Sequence, residues 1–172
     1  MNRTIFQQHI LPIRDKLYRF ALRITGSTHD AEDVVQEVLE KVWKTPPEQS
    51  ETVLNWEAWC MTLTRNRSLD RQRSNQFRRT AALDGVRENT DHALQPDSAA
   101  EQRDMADRIR AMIGQLPEKQ RMVMHLRDIE EMSYDEIAQA LDLSLDQVKI
   151  NLHRARKAIR EQILQLTEFA AS

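Results

Sequence analysis

The sequence predicts an all-α protein: two small helical domains joined by a flexible acidic linker, the second built as a four-helix bundle with a helix-turn-helix. Three observations carry this. Apolar residues recur at three-four spacing in both halves, the period of a helix with one buried face. Gly and Pro number only 3 and 5 among 172 residues, and no stretch alternates apolar with polar as a half-buried strand would. Periodicity lapses from Thr80 to Arg103, where Asp84, Gly85, Glu88, Asn89, Asp91, Pro96 and Asp97 form a turn-rich segment with little to bury. The expected domains are therefore 1–79 and 104–172, with 80–103 as the linker.

The first helix spans roughly 4–25, with Phe6, Ile10, Ile13, Leu17, Phe20 and Ile24 on its buried face. Pro12 cannot donate a backbone hydrogen bond, so it marks a kink or a late start. Gly26 ends the helix, and Ser27 to His29 turn into a second at 30–44. There Ala31, Val34, Val35, Val38 and Val42 form the apolar stripe, while Glu32, Asp33, Gln36, Glu37 and Glu40 crowd the rest. Acids at a helix start complement its dipole, which explains Asp30, Glu32 and Asp33 without any function. Glu37 and Glu40 lie beyond the first turn, where a docking face and a merely solvated face explain them equally well. Pro46 and Pro47 open a polar loop at 45–55, and Asn55 is placed to cap the next helix. Trp56, Trp59, Cys60 and Leu63 follow at helical spacing. Trp43, Trp56 and Trp59 could stack bases, but their spacing matches the stripe, which makes core packing the stronger reading. Beyond them the helix turns basic, through Arg65, Asn66, Arg67, Arg71 and Arg73, as a nucleic-acid footprint would.

In the second half the expected helices are roughly 104–116, 117–128, 134–141 and 145–166. Met105, Ile109, Met112 or Ile113, and Leu116 give the first stripe; Met122, Val123 and Leu126 continue it after Pro117. Ser133 and Glu136 have the spacing of a capping box, as do Ser144 and Gln147. Ile137, Ala138 and Leu141 share one face, Asp142-Leu143 makes the turn, and Val148, Leu152, Ala155 and Ile159 form the stripe of the last helix. Lys149, Ile150, Asn151, His153, Arg154, Arg156, Lys157 and Arg160 lie outside it. Cations meet phosphates, Asn can pair with an adenine edge and Ile can touch a thymine methyl, so this face suits a DNA major groove. The plain alternative is a solvated basic helix. Asp142 sits where such turns usually carry Gly, although Asp tolerates the left-handed conformation better than most residues.

Net charge is -2, but its distribution is uneven. Asp30, Glu32, Asp33, Glu37, Glu40, Glu48 and Glu51 face only Lys41 and Lys44, whereas Arg65, Arg67, Arg71, Arg73, Arg78 and Arg79 face Asp70 alone. This predicts separate acidic and basic surfaces, suited to a protein partner and a nucleic acid. The single cysteine, Cys60, cannot form an internal disulfide, and no apolar run or signal peptide occurs; the expected setting is the cytoplasm, with no membrane insertion. His9, His29, His92, His125 and His153 are scattered, with no HExxH and no paired cysteines, so neither catalysis, nor a metal, nor a cofactor is expected.

These motifs together resemble the extracytoplasmic-function sigma factors, the smallest bacterial sigma class. AEDVVQEVLEKVW (31–43) is similar to the family's polymerase-binding helix, NWEAWCMTLTRNRSLDRQR (55–73) to its promoter-melting region, and 116–160 to its C-terminal domain; LPIRDKLYRFAL (11–22) is in keeping. The resemblance implies that Asp30, Asp33, Gln36 and Glu37 dock on clamp helices of core RNA polymerase. It implies minus-ten contacts by Asn55, Trp56, Arg65, Asn66, Arg67, Arg71 and Arg73, with loop 45–55 capturing an unstacked base. Minus-thirty-five contacts fall to Ser144, Gln147, Lys149, Ile150, Asn151, His153, Arg154 and Lys157. Promoter DNA, core polymerase and an anti-sigma factor are the implied partners, and the action is binding without covalent chemistry. Asp142 and Ile150-Asn151 depart from the family's usual residues, which bears on the DNA sequence read. A stand-alone helix-turn-helix regulator is the rival reading; it accounts for 133–160 but leaves helix 30–44 without a purpose.

Overall fold

The computed structural model describes residues 2–50, 52–81 and 100–170, with side chains within 2–50, 52–78 and 107–166. All regular structure among these residues is helical. The chain opens with α1 (Arg3–Ile5), a π-helical turn at Phe6–Ile10 and a 3-10 turn at Leu11–Ile13; the regular helix α2 (Arg14–Thr25) begins only after Pro12. Gly26 closes α2 in the left-handed region at φ 68°, donating its N–H to Leu22 O. Ser27 then caps α3 (Thr28–Lys44) by accepting from the Asp30 N–H, so this helix starts two residues before the expected 30. The proline-rich loop holds one short helix, α4 (Pro47–Ser50), before α5 (Trp56–Ala81). The second half contains α6 (Ala100–Gln115), α7 (Glu118–Met124) with a π-helical turn at His125–Ile129, α8 (Tyr134–Leu141) and α9 (Leu145–Ala170).

Of the expected linker, residues 82–99 lie outside the described residues, as does the side chain of Met105; residues 100–103 belong to α6 rather than to an irregular segment. Packing divides the chain into two compact units, Met1–Asp91 with Asp135–Leu143, and His92–Tyr134 with Ser144–Ser172. In the first, α2, α3 and α5 pack pairwise. Ile10, Leu17, Phe20, Val34, Val38, Val42 and Met61 are essentially without solvent contact there. Phe6, expected on the same stripe, is only half-buried. In the second unit α9 is the shared wall for α6 and α7. Met112, Leu116, Ala155 and Ile159 form one buried cluster, flanked by Ile113, Met124 and Ala158. Burying large aliphatic side chains contributes roughly 1.5–3 kcal/mol each.

α8 buries Ile137, Ala140 and Leu141, with Ala138 half-buried where the sequence pattern expected it inside. It ends at Asp142, whose φ of 53° is the left-handed conformation its turn requires. The Leu143 N–H closes this end on Ala138 O at 3.0 Å.

Candidate nucleic-acid interface

α9 begins on a reciprocal capping box. The Ser144 N–H donates to Gln147 Oε1 at 3.0 Å, and the Gln147 N–H donates to Ser144 Oγ at 3.2 Å. These bonds satisfy two backbone donors that a helix start otherwise leaves open, and they fix where the helix begins. Val148, Leu152, Ala155 and Ile159 are buried as the pattern predicts, which sets the rotation of everything else. Lys149, His153, Arg154, Lys157 and Arg160 are exposed, and Ile150 keeps 48% of its surface in solvent. Asn151 is half-buried, its amide donating to Gln147 O at 2.7 Å. Arg156 is otherwise engaged: its guanidinium pairs with Asp128, and that hydrogen bond and charge raise its pKa. The basic face therefore divides. Arg156 ties α9 to its own unit, whereas Lys149, His153 and Arg154 project outward.

Asn55 caps α5 by accepting from the Ala58 N–H at 2.9 Å, and its amide donates to Glu136 Oε1 at 2.8 Å within the same unit. Leu54 beside it is fully exposed. The tryptophans are not the core residues their spacing suggested. Trp56 and Trp59 are half-buried and meet edge to face at 5.7 Å, and Trp43 is 47% exposed against Phe6. Four valines and Ala31 already fill the inner face of α3, leaving Trp43 at its rim. Further along α5, Arg65 and Arg71 are half-buried, and Asn66, Arg67 and Arg73 exposed.

The expected separation of acidic and basic surfaces does not occur. α3 and α5 pack together, and their polar edges meet. Arg71 Nη2 donates to Glu37 Oε1 at 2.8 Å, and its Nη1 lies 3.6 Å from Asp33 Oδ2. Arg67 Nε stands 3.8 Å from Glu37 Oε2. Asn75, which the sequence reading passed over, donates from Nδ2 to Asp30 Oδ2 at 2.9 Å. Charge counting along the chain misses this because the partners are 30 to 45 residues apart. The available signal was the i, i+4, i+8 row Arg67, Arg71, Asn75, which lies on one side of a helix. Gln36 is exposed on α3. Beside the junction an open cleft of about 500 Å³ is lined by Glu37, Glu40, Lys41, Lys44, Pro46 and Arg67, among others.

Cys60 is fully buried, and burial, with the Glu57 charge adding, pushes its thiol up to about 12. His125 is buried with Nε2 3.2 Å from Glu130 Oε1, a pairing that scattered histidines in a sequence do not announce. Among the described residues no cluster of His, Cys, Asp and Glu is placed to hold a metal ion. No helix there is long and apolar enough to cross a membrane.

Two family models match: sigma-70 region 2 over residues 10–78, and sigma-70 region 4 over residues 106–159. The chain is 31% identical over 170 residues to the extracytoplasmic-function (ECF) RNA polymerase sigma factor SigL of Mycobacterium tuberculosis, covering 96% of this chain and 90% of that one. It is 32% identical to the ECF sigma factor SigE of Mycolicibacterium smegmatis, covering 87% of this chain but only 58% of that relative's length. Among solved structures, the fold matches the sigma factor RpoE in complex with the anti-sigma factor NepR from Bartonella quintana, with TM-score 0.70, 24% identity and coverage of 92% and 96%. It also matches CnrH in complex with the cytosolic domain of CnrY, with TM-score 0.64, 24% identity and coverage of 94% and 89%. The two units thus carry the parts of a promoter-recognition factor of the sigma-70 superfamily. Within that superfamily, the chain belongs to the ECF RNA polymerase sigma factors.

Proposed function

We propose that this alternative sigma factor binds core RNA polymerase through α3 and reads promoters with α5 and α9. The observation that carries the reading is α9. Its buried stripe and capping box fix its rotation and its start, leaving Lys149, Ile150, His153 and Arg154 exposed together on the first three turns. Side chains near the start of a helix lying in a major groove reach base edges, whereas later ones reach the backbone. Ile150 and Asn151 are assigned to bases of the minus-thirty-five element, with Ser144, Gln147, Lys149, His153, Arg154 and Lys157 holding the adjacent DNA.

On the first unit, loop 45–55 with Asn55 and Trp56 takes an unstacked base of the minus-ten element. Leu54, wholly in solvent, adds an apolar surface beside it. Unstacking costs a few kcal/mol and is offset by pocket contacts. Arg65, Asn66, Arg67, Arg71 and Arg73 hold the strand's phosphates. Asp30, Asp33, Gln36 and Glu37 dock on basic residues of the polymerase through charge-assisted hydrogen bonds. The domains are assigned to 1–79 and 104–172, with 80–103 as the connecting segment, and the setting is the cytoplasm. An anti-sigma factor is the further partner assigned, since the two solved structures named above are complexes with a second protein and NepR in one of them is an anti-sigma factor. The action is binding; no residue is assigned covalent chemistry.

The test is run-off transcription with core polymerase on a genomic promoter library. Promoter-dependent transcripts that require the added chain are the expected result. Specific duplex binding at nanomolar concentration without polymerase, and no transcripts with it, would favour a stand-alone regulator instead.

A further inference from the structure

We propose that the α3–α5 edge is a charge latch: in the free protein Asp33 and Glu37 hold Arg67 and Arg71 away from nucleic acid, and engagement of those acids by a basic partner surface releases the arginines to DNA phosphates. This rests on the docking role just assigned to α3. The geometry supplies the rest. Asp30, Asp33 and Glu37 follow at steps of three and four along α3, while Arg67, Arg71 and Asn75 follow at steps of four along α5. The pairs run in opposite directions, Asp30 with Asn75, Asp33 with Arg71, Glu37 with both Arg71 and Arg67, as antiparallel neighbours require. Two of the three guanidinium nitrogens of Arg71 are already turned to carboxylates, and a phosphate needs the same donors.

The latch can open because it is only partly buried. Arg71 keeps 30% and Glu37 45% of side-chain surface in solvent, so the pairs are of the exposed, readily exchanged kind. Within it two acids cancel two arginines. A partner that takes Asp33 and Glu37 leaves two unbalanced positive charges on α5. In the adjoining cleft, Lys41, Lys44 and Arg67 would then face Glu40 alone. The coupling is reciprocal: docking strengthens the hold on DNA, and DNA strengthens docking by the same factor.

The experiment uses the full chain without polymerase and a fluorescent single-stranded DNA of about 20 nucleotides carrying no promoter sequence, at about 50 and 200 mM salt. Asp33→Asn with Glu37→Gln keeps side-chain shape on an exposed edge and removes the charges that hold the arginines. Binding should tighten roughly tenfold at the lower salt, and the salt slope should steepen by about 1.4, two phosphates at about 0.7 each for a single strand. Adding Arg67→Ala and Arg71→Ala to that variant should cancel the gain. No gain from the acid substitutions, or a gain that survives loss of both arginines, overturns the latch. Affinity for core polymerase is measured in parallel. Loss of core binding without any DNA gain overturns the latch and keeps the docking assignment. A DNA gain with unchanged core affinity overturns the docking assignment and keeps the restraint on the arginines.

Discussion

Replacing His125 with Ala is expected to lower the stability of the second unit by about 2–4 kcal/mol, roughly 1–3 for a buried acceptor losing its neighbour with a packing loss added. The magnitude follows from burial. Glu130 is 2% exposed with its side chain wholly enclosed, and His125 is 6% exposed. Without the imidazole, Glu130 stays enclosed and loses a polar neighbour 3.2 Å away. A single imidazole-sized void adds a packing loss of the same sign. Replacing both residues with Leu should cost much less than the sum of the single changes, since replacing both partners of a buried polar contact by apolar groups of similar shape can be nearly neutral. Two optical probes locate the effect. Trp43, Trp56 and Trp59 are the only tryptophans and all lie in the first unit, so their fluorescence follows that unit. Circular dichroism follows helix in both. For a unit of this size each kcal/mol moves the midpoint by roughly 4–8 °C. His125→Ala should therefore introduce a dichroism transition at least about 8 °C below wild type, with the tryptophan transition little changed. A midpoint within a few degrees of wild type, or a double variant as unstable as the sum of the singles, would refute the reasoning.

Three further outcomes are expected. Asp142→Gly should stabilise the protein by about 0.5–1 kcal/mol, and Asp142→Val should destabilise it by about 1–2, because φ is 53° there; urea midpoints of the two variants check both signs. Cys60 should resist a thiol reagent at pH 8 in the folded protein and react once urea unfolds the first unit. Its pKa rises from 9.0 to about 12 on folding, so the stability it contributes is fully present below pH 9. That contribution is lost as pH climbs toward 12, at no more than about 1.4 kcal/mol per pH unit in denaturant titrations. Finally, Lys157→Ala should weaken all promoters alike and lower the salt slope by about one, whereas Asn151→Ala should cost roughly 1–3 kcal/mol at one base position, both read from a library randomised across the upstream element. Uniform loss of every sequence in Asn151→Ala would remove that residue from base reading.

Much of the fold was legible because its signals are local. The Ser144–Gln147 box, the Asn55 cap, the left-handed Gly26 and the α9 stripe each depend on residues within a few positions of one another, and each formed as spacing predicts. What stayed hidden depends on which helix becomes a neighbour. Helical period says which face of α3 turns inward; it does not say that Arg71 will stand beside Glu37. The acids therefore looked like free surface, and the tryptophans looked like core. Trp43 fits the rhythm of the α3 stripe yet lies at its rim, half in solvent against Phe6. The π-helical turns at Phe6–Ile10 and His125–Ile129 were equally silent, since a widened turn leaves apolar spacing nearly intact; only the 3-10 turn beside Pro12 had a residue to announce it.

The enclosure of Cys60 has a practical side. With its one native thiol sealed on the inner face of α5, the folded protein presents a blank background to maleimides and methanethiosulfonates. A cysteine introduced at an exposed position such as Lys44 or His153 becomes the single reactive atom on the surface, with no native residue to mutate first. Two such positions, one per unit, would carry a spin-label or dye pair and serve as a ruler. Distances could then be followed as polymerase, promoter DNA or a second protein is added.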